Sequence, residues 1–199
     1  MDENKKMISR VTAKNKNGIE VATFGAGCFW CIEVIYQQLR GVIEVIPGYC
    51  GGFVQNPTYF QVCQGNTGHA EACQVIYNSN VISYEELLEI FWLIHDPTSL
   101  NNQEYDIGPQ YKSVIFYHNK EQEASSKEYK IMLNSSGEYT STIVTEILPL
   151  TNFYKAEDCN INYYYLNAKT PYSLYVIAPK VKKFKKVFND KLKSAAEFN

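Results

Sequence analysis

A chain of 199 residues, 45% of them hydrophobic, is long enough to bury one sizeable core and short for two full domains. Nineteen basic residues against 21 acidic give a net charge of −2, and only Arg10 and Arg40 are arginines; this balance argues against nucleic acid or an anionic membrane as partner. The polar opening stretch lacks the apolar segment of a signal peptide, and no later run approaches membrane-span length. A soluble cytoplasmic protein is expected, and its six irregularly spaced cysteines should then be mostly reduced thiols.

Residues 1–18 read as a flexible leader rich in Lys and Asn. IEVATFGAG (19–27) is a short strand closing on two glycines. CFWCIEVIYQQL (28–39) sets Phe29, Ile32, Tyr36 and Leu39 at helical spacing, so a helix is expected to start near Cys28. VIEVIPGYCGG (42–52) predicts a strand running into a glycine-rich loop, and NPTYFQVCQGNTG (56–68) a loop with one helical turn. In HAEACQVIYN (69–78), strand alternation puts Glu71, Cys73, Val75 and Tyr77 on one face. SYEELLEIFWLIHDP (83–97) opens with Ser83 and Glu86 in a capping-box pattern and carries Leu87, Leu88, Phe91, Trp92 and His95 on one stripe. A strand (110–119), a polar helix (120–136) and a further strand (141–150) follow, and the text turns irregular after Phe153. Val181, Phe184 and Phe188 line one side of a lysine-rich tail helix expected to lie on the domain. The alternation of strands and helices argues for an α/β or α+β protein in two layers.

The pair Cys28-Phe-Trp-Cys31 carries the first chemical signal. A cysteine in the first turn of a helix meets unpaired N–H groups and the positive end of the dipole, which favour thiolate. On that ground Cys28 is expected to be the most readily alkylated thiol. Cys31, one turn later, is close enough to close a short disulfide loop. Two buried structural thiols are the plain alternative; a structural zinc site wants a second short pair of ligands, which the other cysteines and histidines do not offer. The two aromatics between the cysteines suggest a pocket for a small apolar group.

The segments GCFWCIE (27–33), GYCGG (48–52), NPTY (56–59), VCQGNTGHAEA (62–72), ISYEELLEIFWLIHDPTS (82–99), DIGPQYKSVIFY (106–117), TEI (145–147) and FYKAED (153–158) resemble, in order and spacing, the A-type peptide methionine sulfoxide reductases. The resemblance covers roughly residues 22–158 and implies an α+β fold, a two-layer sandwich with a ferredoxin-like core. It implies reduction of the S epimer of methionine sulfoxide, free or in proteins, as repair of oxidative damage, with a thioredoxin-type dithiol as final reductant. No metal or organic cofactor is expected, and a monomer is. Cys28 would attack the sulfoxide sulfur, and Glu71, held neutral by a largely apolar strand face, would protonate the leaving oxygen. Tyr59 and Tyr111 match tyrosines that hold that oxygen, Asp106 a carboxylate that orders the polar side, and Phe29 and Trp30 the walls that receive the S-methyl group. His69 is read as structural, and Cys50, Cys63 and Cys73 as inert buried thiols.

The chain departs from the pattern in three places. Where many relatives carry a resolving cysteine in a GYC segment, this chain has TPYS (170–173), with Ser173. AEDCNIN (156–162) lacks the usual histidine and introduces Cys159. Cys31 is therefore expected to resolve the Cys28 sulfenic acid, with Cys159 or an external thiol as alternatives. Glu104 stands where glycine is usual before the aspartate, a site that implies a backbone conformation other residues tolerate poorly. The expected organisation is a leader (1–18), a catalytic domain (19–160) and an irregular C-terminal segment ending in the basic helix (161–199). A general thiol-disulfide oxidoreductase and a methionine-sulfoxide sensing module are the rival readings.

Overall fold

The computed structural model describes residues 18–194; all but the last residue of the expected leader lie outside that range. The chain begins with strand β1 (Ile19–Ala26), helix α1 (Phe29–Tyr36), β2 (Val42–Cys50), the short α2 (Tyr59–Cys63) and β3 (Ala70–Asn78). It continues with α3 (Tyr84–Leu93), the two-residue strands β4 (Asn102–Gln103) and β5 (Asp106–Ile107), β6 (Ser113–Tyr117), α4 (Lys120–Ser136), β7 (Glu146–Pro149) and β8 (Phe153–Lys155). The C-terminal part holds α5 (Tyr163–Leu166), a π-helical turn (Ser173–Ile177) and α6 (Ala178–Val187).

The main sheet has the order β7-β6-β1-β3-β2-β8. Its four central strands, with α1 between β1 and β2 and α3 between β3 and β6, make the antiparallel ferredoxin-like βαββαβ unit expected from the resemblance. β7 adds in parallel beyond β6, and β8 lies antiparallel outside β2. One sheet face carries the larger core: Phe24 stacks on Tyr36 of α1 and Phe91 of α3, and the Tyr36 hydroxyl donates to the Leu87 carbonyl at 2.9 Å, tying the two helices together. The opposite face buries a smaller cluster including Ile46, Ala70, Ala72 and Phe116, so the alternation read in residues 69–78 holds.

Helix boundaries follow their local signals. Ser83 and Glu86 form the reciprocal capping box of α3. α4 starts under the Asn119 side chain and stops at Gly137, whose φ of +78° is the left-handed C-terminal conformation glycine adopts without strain. Val181, Phe184 and Phe188 are buried, so the lysine-rich helix lies on the domain by its apolar stripe. His95 is half-buried with its ring enclosed: desolvation lowers its pKa to about 4, and the ring bonds the Phe91 carbonyl and the Ser113 hydroxyl, both at 2.7 Å.

The structure departs from the sequence reading at three points. The strand expected over 141–150 pairs only from Glu146, because Val144 gives its N–H to the Pro97 carbonyl instead of to a neighbouring strand. The β4–β5 hairpin falls in text to which the sequence assigns no element, and β8 where the text turns irregular; each strand is only two or three residues long, too short to show a period. Among the described residues no helix is long and apolar enough to cross a membrane.

Candidate active site

The site forms where β1 ends and α1 begins. Gly27 takes φ +85° under the Gln103 side chain, and this sharp turn delivers Cys28 to the N-cap of α1. The Cys28 carbonyl accepts the first helical hydrogen bonds, from the N–H groups of Cys31 at 3.1 Å and Ile32 at 3.5 Å. The orphan N–H of Phe29 is not left for the Cys28 thiol. It donates to Glu71 Oε2 at 3.0 Å, which brings the carboxyl of β3 to the same helix end.

Both groups are desolvated. Glu71 is 1% exposed, and burial pushes its carboxyl well above the usual range, with the Cys28 sulfur raising it further and the Phe29 N–H opposing. The expectation of a neutral acid at this position agrees with that environment. The expectation for Cys28 does not. At 6% exposure its thiol is pushed well above the ordinary value, first by burial, then by the neighbouring Cys31 thiol, with a Tyr172 hydrogen bond opposing and Asp106 adding repulsion. A helix N-terminus contributes about 0.3–1 kcal/mol toward the anion, whereas burial can shift a group by several pKa units, so desolvation wins. In the resting site desolvation therefore favours the protonated form of both Cys28 and Glu71.

Polar groups close the far side. Asp106 on β5 accepts a 2.7 Å hydrogen bond from the Tyr172 hydroxyl, and burial raises its carboxyl while Tyr172 and Lys180 pull it back. Glu104, at the hairpin turn, does adopt the conformation anticipated for a glycine site, φ +53°, and its carboxylate reaches Lys180 at 3.5 Å. Tyr59 and Tyr111 are half-buried, and both hydroxyls are held above their usual pKa by burial and by Glu71. Tyr59 is fixed through its own N–H, which donates to Glu157 Oε1 at 2.7 Å, while Glu157 Oε2 accepts from Tyr49 at 2.6 Å. Burial alone would raise Glu157, but those hydrogen bonds outweigh it and hold the carboxylate below its ordinary value.

The aromatic side is more crowded than the sequence implied. Phe29 is fully buried against Tyr49 and Tyr59. Trp30 is half-buried, with Tyr163 stacked on its ring at 3.6 Å and 8° and Tyr172 edge-on at 5.6 Å. Its indole N–H donates to Asn160 Oδ1 at 3.3 Å. Glu33, 1% exposed on α1, anchors the same segment by accepting the Asn162 N–H at 2.8 Å. Its carboxyl is raised to about 7 by burial, with the Asn162 and Tyr163 N–H groups opposing.

Tyr163, Tyr172, Glu33 and Glu157 escaped the sequence reading. In TPYS (170–173) the missing cysteine is the conspicuous feature, and Tyr172 beside Ser173 is the signal available there. Ser173 itself is fully buried and hydrogen-bonded to Thr170 at 3.0 Å.

All six cysteines are free thiols. Cys31 is 5% exposed and lies beside Cys28 on α1. Cys50 and Cys73 are buried and donate to the carbonyls of Asn152 at 2.8 Å and Phe29 at 3.4 Å. Cys63 is a correction: it is only partly buried, and it hydrogen-bonds the Tyr59 hydroxyl within electrostatic reach of Glu71 and Cys28. Cys159 is exposed, between Glu157 and Asn160. His69 is structural: Gly52 donates to its Nδ1 at 3.0 Å, and Nε2 therefore donates to the Val54 carbonyl at 2.7 Å. Among the described residues no three His, Cys, Asp or Glu side chains are grouped to hold a metal.

A cysteine at a helix start, a second cysteine one turn on, and a buried protonated acid define a thiol-based oxidoreductase on a ferredoxin-like α+β fold. The family model for peptide methionine sulfoxide reductase matches residues 20–192, and the chain belongs to that family. It is 50% identical over 175 residues to "Peptide methionine sulfoxide reductase MsrA" of Saccharolobus solfataricus, covering 88% of this chain and 98% of the relative. Among solved structures it is similar to reduced Mxr1 of Saccharomyces cerevisiae, with TM-score 0.71, 31% identity and coverage of 78% of this chain and 90% of that one. Mxr1 in complex with Trx2 is also similar, with TM-score 0.52 at 26% identity, covering 76% and 90%.

Proposed function

We propose that this enzyme reduces the S epimer of methionine sulfoxide to methionine, with Cys28 as nucleophile and Glu71 as the acid that protonates the departing oxygen. The observation that carries the reading is the pairing at the start of α1: a buried Glu71, its carboxyl pushed up by desolvation and hydrogen-bonded to Phe29 N–H, next to the Cys28 thiol. As the sulfur of Cys28 bonds to the sulfoxide sulfur, Glu71 gives its proton to the oxygen and, once anionic, takes the proton of Cys28; the S–O bond then breaks, and the oxygen, leaving as water, attacks the Cys28 sulfur, breaks its bond to the methionine sulfur and returns the surplus proton. The products are methionine and a Cys28 sulfenic acid, RSH + R′₂SO → RSOH + R′₂S, so the acid is unchanged over the step. Tyr59 and Tyr111 hold the oxygen, Asp106 orders their side of the pocket, and Phe29 and Trp30 flank the S-methyl group.

The sulfenic acid then condenses with a second thiol and releases water. Cys31 is the best placed for this, one helical turn away on the same helix face, with exposed Cys159 as the alternative. A dithiol protein of the thioredoxin class reduces the resulting disulfide; the yeast relative's complex with Trx2 supports that choice. The enzyme acts as a monomer in the cytoplasm, a reducing compartment that would keep its six free thiols reduced.

The test is a single turnover without added reductant. The wild-type enzyme should release one methionine per chain from a methionine sulfoxide peptide and leave Cys28 trapped by a sulfenic-acid reagent or as a disulfide. Cys28→Ser should release none. Turnover by Cys28→Ser would remove the assignment.

A further inference from the structure

Glu157 stands just past β8, where the Ala156 N–H donates to the Pro47 carbonyl at 2.9 Å and fixes the chain beside β2. Its two carboxylate oxygens are divided between separate segments. Oε1 accepts the Tyr59 N–H at 2.7 Å; Oε2 accepts the Tyr49 hydroxyl at 2.6 Å and, at the longer distance of 3.4 Å, the Asn160 amide. Each partner leads to the pocket. The Tyr59 ring lies against Phe29 and Trp30, at centroid distances of 6.2 and 6.0 Å. Tyr49 packs on Phe29 at 5.8 Å and is the register partner of Glu71 in the β2–β3 pairing. Asn160 accepts the Trp30 indole N–H at 3.3 Å.

Helix α2, which carries Tyr59, depends on ties of this kind. It is five residues long, too short to hold its shape alone, and Val62 is its one buried residue. The other hydrogen bond that reaches it from a distant side chain runs from Gln110 to the Cys63 carbonyl, at 3.5 Å. We propose that Glu157 is a positioning residue for the reduction step: it fixes the first turn of α2 and thereby holds the Tyr59 hydroxyl against the sulfoxide oxygen. This rests on the reductase reading above. Glu157 acts by reach rather than by charge, because what it supplies is two hydrogen-bonding atoms at a set separation, one for Tyr59 and one for Tyr49. In Glu157→Gln the amide oxygen keeps the Tyr59 N–H, and the amide N–H donates to the Tyr49 hydroxyl, which serves equally as acceptor. Glu157→Asp keeps the charge but draws both oxygens back by one methylene.

The experiment measures the rate of methionine release in a single turnover without reductant, for the wild type, Glu157→Gln, Glu157→Asp and Glu157→Ala, each with and without Tyr59→Phe. Glu157→Ala should lose about 10²-fold, the scale of a misplaced contact at a reacting centre, and Glu157→Asp should approach that loss. Glu157→Gln should stay within about threefold of the wild type, since it keeps both hydrogen bonds. On Tyr59→Phe, whose hydroxyl is already gone, Glu157→Ala should add little, because the two changes remove the same contact. Losses that multiply with that of Tyr59→Phe would overturn the proposal and leave Glu157 a role in the fold alone. So would the opposite order, with Glu157→Asp near the wild type and Glu157→Gln impaired. If Glu157→Ala does not fold, the order of the Gln and Asp variants and the coupling of Glu157→Asp to Tyr59→Phe carry the same test. A wild-type enzyme that releases no methionine would instead strike the reductase reading, so the two failures are distinguishable.

Discussion

The Cys28 thiol offers the sharpest test of how this site is built, because two physical effects oppose each other there. The helix start favours the anion by about 0.3–1 kcal/mol, less than about one pKa unit. That contribution is also reduced because Glu71, not Cys28, takes the Phe29 N–H. Against it stand near-complete burial and the adjacent Cys31 thiol, both of which push the thiol up, burial the more strongly. Cys28 should therefore hold its proton well past the ordinary thiol value of 9.0 in the absence of substrate. Difference titration of thiolate absorbance between the wild type and Cys28→Ser should show no Cys28 thiolate below about pH 9. Alkylation mapped by mass spectrometry should label exposed Cys159 first and Cys28 late. A Cys28 midpoint below about 8, or Cys28 labelled ahead of Cys159, would refute the dominance of burial and restore the helix-start argument.

Replacing Glu71 by Gln keeps an acceptor for the Phe29 N–H but no transferable proton; kcat should fall about 10²- to 10⁴-fold with the fold intact by circular dichroism, and a loss below tenfold would remove the acid role. Cys31→Ser should still release one methionine per chain but slow thioredoxin-driven cycling, whereas unchanged cycling would move the resolving role to Cys159 or to an external thiol. For Glu33 the folded pKa is about 7 against 4.5 unfolded, so between those values the native state binds more protons and stability falls as pH rises. Urea unfolding of Glu33→Gln across that range should show a flatter loss of stability with pH than the wild type; parallel curves would contradict the burial of this carboxyl.

What the sequence revealed, and what it hid, follows from range. The capping box at Ser83, the alternation around Glu71 and the helix at Cys28 are local patterns of about one or two turns, and each stands in the structure where it was read. Glu104 is different: its left-handed conformation was expected only from the glycine that the resemblance places there, and the hairpin turn adopts it. The state of Cys28 was misjudged because burial is a property of the whole packing: β3, the hairpin and the C-terminal segment all converge on a thiol whose own neighbours describe only a helix start. Tyr172 and Tyr163 were missed for the same reason, as they reach Asp106 and Trp30 across sequence separations that no local period records. Glu157 sits in the AED segment that carried the resemblance, yet its hold on Tyr59 and Tyr49 needs the β2–β8 pairing to be seen.

The measurement that bears most directly on the central claim is dithiothreitol-driven consumption of a methionine sulfoxide peptide supplied as both epimers and resolved by chiral chromatography, with Cys28→Ser alongside. Loss of the S epimer alone, abolished in the variant, is the predicted result. Consumption of neither epimer, or equal consumption by Cys28→Ser, would contradict the account and return the Cys28 and Cys31 pair to a different thiol chemistry.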